Sequence, residues 1–148
     1  MKHTPVSAII VSVIAAVMIL GAARPLSAQS DPRYWIDKGA LYATYGNPDT
    51  AIEYFKKALE LEPQNSEARF HLALAYAEKN SYQKAIDAIN RALGAEPKNG
   101  RYRYARGWIY QLAGQEEKAL ADMEKAAELG NPDARHYLEN IRPRKQRQ

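Results

Sequence analysis

The chain has 148 residues, 46% hydrophobic and 26% charged, the composition of one ordinary globular domain with a modest core. It has no cysteine, which excludes disulfides, thiolate metal sites and cysteine nucleophiles. The formal charge of +4 arises at the ends, from Lys2 and Arg24 and from Arg142, Arg144, Lys145 and Arg147, so the middle is near neutral to slightly acidic.

The first 30 residues, MKHTPVSAIIVSVIAAVMILGAARPLSAQS, have the layout of an export signal. Lys2 is a short positive start, Ala8 to Leu20 is uncharged and apolar, and Leu26-Ser27-Ala28 offers small residues for cleavage after Ala28. The apolar run is shorter than the roughly 20 residues that span a bilayer, which favours a removed signal peptide over 1–28. The alternative is an uncleaved membrane anchor, because Gly21, Ala22 and Ala23 extend the run to 16 residues before Arg24. Both readings place the folded part across a membrane.

From Pro32 the chain divides every 34 residues, without insertion, into units 32–65, 66–99 and 100–132. A period of this size predicts stacked repeats. Trp35, Gly39, Tyr42, Ala51, Phe55, Ala58 and Pro63 return as Arg69, Ala73, Tyr76, Ala85, Ile89, Ala92 and Pro97. The third unit has Arg103, Gly107, Tyr110, Ala119, Met123 and Ala126, and its proline slips by one to Pro132.

Each offset has a physical reason. Gly39, Ala73 and Gly107 on a first helix face Ala51, Ala85 and Ala119 on a second, small where the helices of a hairpin approach most closely. Tyr42, Tyr76 and Tyr110, with Phe55, Ile89 and Met123, form an inward stripe. Gly46-Asn47-Pro48, Asn80-Ser81 and Gly114-Gln115 predict the turns, and Pro63 and Pro97 stop the second helices. Asp31-Pro32 and Asn131-Pro132 pair a capping side chain with a proline at the first helical position. A short capping helix over 133–142 is predicted from Ala134, Tyr137, Leu138 and Ile141, and the basic stretch 143–148 has nothing to pack against.

These residues resemble the tetratricopeptide repeat, whose pattern of tryptophan, leucine-glycine, tyrosine, alanine, a bulky apolar residue, alanine and proline is met most fully by the first unit. The departures are Lys38 and Arg106 where the family has leucine, and Arg69 and Arg103 where it has tryptophan. The stretch KAAELGNPDARHYLENI also resembles the related Sel-like repeat. The resemblance implies an all-α fold, a right-handed superhelical solenoid of antiparallel helix hairpins, with three repeat units and a capping helix.

It also implies a ligand groove on the concave wall made by the first helices. Matched position by position, unit one offers Arg33, Ile36, Asp37, Ala40, Ala43 and Thr44, and unit two Glu67, Phe70, His71, Leu74, Ala77 and Glu78. Unit three offers Arg101, Tyr104, Ala105, Trp108, Gln111 and Leu112. The groove expected to hold a partner comprises Arg33, Ile36, Ala40, Phe70, His71, Leu74, Arg101, Tyr104 and Trp108, with Tyr104 and Trp108 as exposed aromatic anchors. The opposing reading is that these aromatics pack between neighbouring helices, or that the chain's own terminal segment fills the groove. The family's carboxylate clamp is not expected: Ile36, Ala40, His71, Arg101 and Ala105 stand at its positions, and only Arg101 has a suitable charge.

Catalytic chemistry finds little support. His3, His71 and His136 have no metal-ligand spacing, no glycine-rich phosphate loop occurs, and Glu60, Glu62, Glu116 and Glu117 read as solvated helix faces. Arg101, Arg103 and Arg106 are not one stripe, because consecutive helical residues face different ways, so no nucleic-acid partner is expected. The expectation is an exported, non-catalytic scaffold, periplasmic or secreted, that binds a protein or peptide partner and needs no cofactor or metal. A membrane-anchored structural subunit of an envelope complex is the alternative. Membrane contact is expected only through the N-terminal segment or the basic tail, and the oligomeric state stays open.

Overall fold

The computed structural model describes residues 29–141; the signal peptide expected over 1–28 and the basic stretch from 142 lie outside them. From Pro32 onward the described chain is all helix: α1 (Pro32–Thr44), α2 (Pro48–Leu61), α3 (Ser66–Glu78), α4 (Tyr82–Ala95), α5 (Gly100–Leu112), α6 (Glu116–Glu128) and α7 (Pro132–Ile141). The pairs α1/α2, α3/α4 and α5/α6 form hairpins, which stack through α2 on α3 and α4 on α5, and α7 packs on α6. This is the solenoid of three hairpins and a closing helix that the 34-residue period predicts.

The turns repeat with the sequence. Gly46, Asn80, Gly114 and Gly130 all have positive φ. In each case two amides satisfy carbonyls of the finished helix: at the first turn, Gly46 N–H donates to Ala43 O and Asn47 N–H to Tyr42 O, both at 2.9 Å. Asn80 does this without being glycine, a conformation that asparagine tolerates. The joints between hairpins are built differently. Asn65 and Asn99 cap the following helices, accepting from Ala68 N–H at 2.8 Å and Tyr102 N–H at 3.1 Å, and each side-chain amide donates to the glutamate three residues earlier, Glu62 or Glu96. Asn131 caps α7 in the same way, accepting from Ala134 N–H at 2.8 Å.

The predicted small positions are where the helices meet. A Cβ on Gly39 would lie 2.4 Å from the Phe55 ring, and one on Gly107 would lie 3.1 Å from the Ala119 carbonyl oxygen. Phe55, Ile89 and Met123 fill the hairpin interiors completely, while Tyr42, Tyr76 and Tyr110 lie half-buried against the core. Much of the rest of the core is alanine, which lets the helices pack closely.

The two arginines that replace family positions in unit three have a common purpose. Arg106 grips Asp122 of α6 with two hydrogen bonds, and Arg103 reaches the same carboxylate at 3.4 Å. Asp122 is only 5% exposed. Arg101 stays apart from this pair, as the helical spacing predicts.

Candidate groove on the first helices

The helices α1, α3 and α5 lie side by side, so their outward positions share one wall. On α1, Arg33 pairs with Asp37 one turn on at 3.2 Å and crosses to Glu67 on α3 at 3.0 Å. These exposed contacts contribute little to stability but tie the edges of the two helices together.

Below that bridge Ala40 and Ala43 of α1 face His71, Leu74 and Ala75 of α3 across a cavity of about 250 Å³, floored by Phe55 and rimmed by Thr44 and Glu78. The cavity exists because alanines leave room between helices that larger side chains would fill. The His71 ring stacks on Phe55 with centroids 5.5 Å apart and meets Phe70 edge-on at 5.1 Å. Burial, and secondarily the Arg101 charge, hold the His71 pKa below the usual histidine range, although Glu67 and Asp37 act in the opposite direction. The imidazole is therefore neutral at pH 7, and the pocket wall is weakly polar.

Further along the wall, Phe70 stacks on Tyr102 with centroids 5.0 Å apart, and the Arg101 guanidinium lies 4.3 Å from the Phe70 centroid. The ring beneath positions an exposed charge on the wall.

Several expected groove residues have other roles. Ile36 and Phe70 are each 3% exposed, and Ala77 and Ala105 are also buried. Ile36 packs with Ala58 and Ala68 under the first hairpin joint, so it presents no surface to a ligand. Phe70 serves as a platform for His71 and Arg101. Tyr104 and Trp108 are half-buried, not an exposed pair: both pack against the cluster of Met123, Ala126, Ala134 and Leu138, so α7 covers part of what was expected to be open wall. Arg33 and Arg101 are exposed, and Ala40, His71, Leu74, Tyr104 and Trp108 each keep part of their surface. The cavity floor, Phe55, belongs by its spacing to the core stripe, and the facing alanines Ala40, Ala43 and Ala75 are the signal that could have located the pocket. Among the described residues no group of three or more histidine, aspartate or glutamate side chains is placed to hold a metal ion.

A stack of hairpins whose first helices share one open wall defines a helical-repeat scaffold. Two family models, both described as tetratricopeptide repeat, match residues 42–109 and 100–129, and the chain belongs to the tetratricopeptide-repeat family. No curated protein sequence matches it. Among solved structures it resembles MamA, with 29% identity and a TM-score of 0.63 over 68% of this chain and 58% of that one. The form of MamA from Desulfovibrio magneticus RS-1 is 27% identical, with a TM-score of 0.62 over 68% of this chain and 56% of that one. The chain thus spans less than three fifths of the MamA structures it matches. It also resembles the first repeat domain of Spaghetti (RPAP3) bound to the HSP90 peptide SRMEEVD, with 25% identity and a TM-score of 0.69 over 75% of this chain and 90% of that one.

Proposed function

We propose that this chain is an exported, non-catalytic interaction scaffold that holds a peptide or helix of an envelope partner in the groove of α1, α3 and α5. The observation that carries the reading is the cavity between Ala40, Ala43, His71 and Leu74, sized for an apolar side chain and set beside the fixed charge of Arg101. The peptide-bound RPAP3 domain supports binding on this fold, but not the same chemistry. At the clamp positions Ile36 and Ala105 are buried and Ala40 is apolar, which leaves Arg101 without companions for a terminal carboxylate. A segment with an apolar anchor and mixed flanks suits the wall better.

Export rests on residues 1–28, and the 16-residue apolar run supports the second reading, a tethered subunit of an envelope complex. Mass spectrometry of the mature protein separates the two: a chain starting at Gln29 supports the scaffold released by cleavage, and one starting at Met1 supports the tether. For the groove, a photoreactive residue at Leu74 should capture one partner segment in the native compartment, and Ala43→Trp should abolish the capture by plugging the cavity. Capture that persists with the plug and an intact fold would sink the proposal.

A further inference from the structure

One place on the outer face, between the first and second helix of each hairpin, is filled in three different ways. Its positions recur at 34-residue intervals as Trp35, Lys38, Tyr54 and Lys57, then Arg69, Leu72, Ala88 and Arg91, then Arg103, Arg106, Asp122 and Lys125. In the first hairpin Trp35 and Tyr54 stack with centroids 5.6 Å apart, and Lys57 lies 4.8 Å from the Trp35 ring. In the third, Asp122 takes Tyr54's place and its carboxylate holds both arginines. In the second the same place is taken by Ala88, which supplies neither a ring nor a carboxylate.

The result is an open cavity of about 240 Å³. Leu59, Leu72 and Tyr76 provide its apolar surface, and Arg69, Lys84 and Arg91 its cations. Among the described residues Asp87 is the one acid in the lining, and its carboxylate accepts from Gln83 Nε2 at 3.0 Å. Arg69 donates to the Pro63 carbonyl, and among the described residues neither Arg69 nor Arg91 has a carboxylate within ion-pair distance. Burial and the neighbouring Arg91 charge both push the Arg69 pKa down, the sign of a cation short of a counter-charge.

We propose that this outer pocket of the second hairpin binds an acidic segment of a protein partner, with an aromatic or aliphatic side chain on Leu59 and Leu72 and a neighbouring carboxylate between Arg69 and Arg91. The partner would supply from outside the ring that Tyr54 supplies in the first hairpin and the carboxylate that Asp122 supplies in the third. Guanidinium groups favour such a planar acceptor. The cavity is smaller than the roughly 300–1,000 Å³ of small-molecule sites, which fits one or two side chains of a longer segment. This surface shares no lining residue with the groove cavity and does not depend on the reading given for that wall.

The test uses the full chain and an end-blocked hexapeptide of alternating glutamate and phenylalanine, followed by chemical-shift titration. Saturable binding is expected, with shifts at Leu72, Tyr76 and Arg91. Ala88→Tyr and Ala88→Asp, which install the fillings of the first and third hairpins, should each weaken it at least about tenfold, and the glutamine-for-glutamate peptide should lose a similar factor. Arg91→Gln, an exposed change that leaves the core untouched, should weaken binding several-fold, and Ala43→Trp in the groove should leave it unchanged. The proposal is overturned if the peptide fails to bind at millimolar concentration, or if the Ala88 and Arg91 variants bind it as well as the wild type. Phenylacetate binding as tightly as the peptide would overturn assignment to a protein segment, and self-association that Ala88→Tyr abolishes would replace the foreign partner by a second copy.

Discussion

Arg106 and Asp122 form a two-pronged ion pair, Nε to Oδ2 at 2.6 Å and Nη2 to Oδ1 at 2.8 Å, across the third hairpin. Hydrogen bonding to Asp122 also raises the Arg106 pKa, against the effect of burial. Removing the carboxylate by Asp122→Ala would leave two part-buried arginines without a counter-charge, at a cost of about 3 kcal/mol, the low end for a buried pair. Replacing Arg103, Arg106 and Asp122 together by apolar residues should be close to neutral, because the pair's desolvation penalty disappears with it. Denaturant unfolding of the single and triple variants checks both outcomes, and similar losses in the two would refute the account.

Gly39 and Gly94 should respond to alanine with opposite signs. At Gly39 the new methyl would run into Phe55, which is fully buried and stacked on His71, so Gly39→Ala should cost about 1–3 kcal/mol and disturb the groove floor. At Gly94, inside α4, nothing lies within 4 Å of the added atom. Gly94→Ala should stabilise by about 0.5–1 kcal/mol through chain entropy alone. Thermal melts of the two variants side by side would show it.

Asn80 provides a third comparison. Its positive φ is the price of the α3 to α4 turn, so Asn80→Ala should cost about 1 kcal/mol while Asn80→Gly is neutral or mildly stabilising. Both changes remove the hydrogen bond from the Tyr82 hydroxyl, so the difference between them isolates the backbone. Equal melting temperatures would contradict the turn assignment.

His71 sets a pH dependence. Its folded pKa is depressed, so the stability it contributes is present above the ordinary value of roughly 6.5 and is lost as pH falls through that value toward the folded one. Arg101 and Arg33 reinforce the depression, Glu67 and Asp37 oppose it, and Glu78 shares the cavity. Unfolding midpoints should fall between about pH 7 and pH 5, and His71→Gln should flatten that part of the profile. An unchanged slope in the variant would place the effect elsewhere.

The fold was legible because the repeat places the same physical demand on each hairpin: small residues at Gly39, Ala73 and Gly107, and turn residues at Gly46, Asn80 and Gly114. The asparagine caps Asn65 and Asn99 follow the same period but stand beside prolines, whose helix-ending role is easier to see. The site was less legible. Outward positions on a first helix are open only where the next helix does not cover them, and Ile36 and Phe70 lose their surface to neighbours across the joint. The sequence reading kept Arg101, Arg103 and Arg106 apart, yet Arg103 and Arg106, three residues apart, converge on Asp122, which comes from the helix opposite and could not be seen from spacing along one helix.

Among the described residues, substantial packing runs only within a hairpin or between neighbours in the stack: α1 meets α2 and α3, and α5 meets α3, α4 and α6, with no comparable contact between the first and third hairpins. The three hairpins are therefore coupled only through two seams, where any bending of the stack would have to occur. A partner lying along the wall from Ala40 to Arg101 would cross both seams and brace them, so its length and stiffness would register as curvature of the whole solenoid.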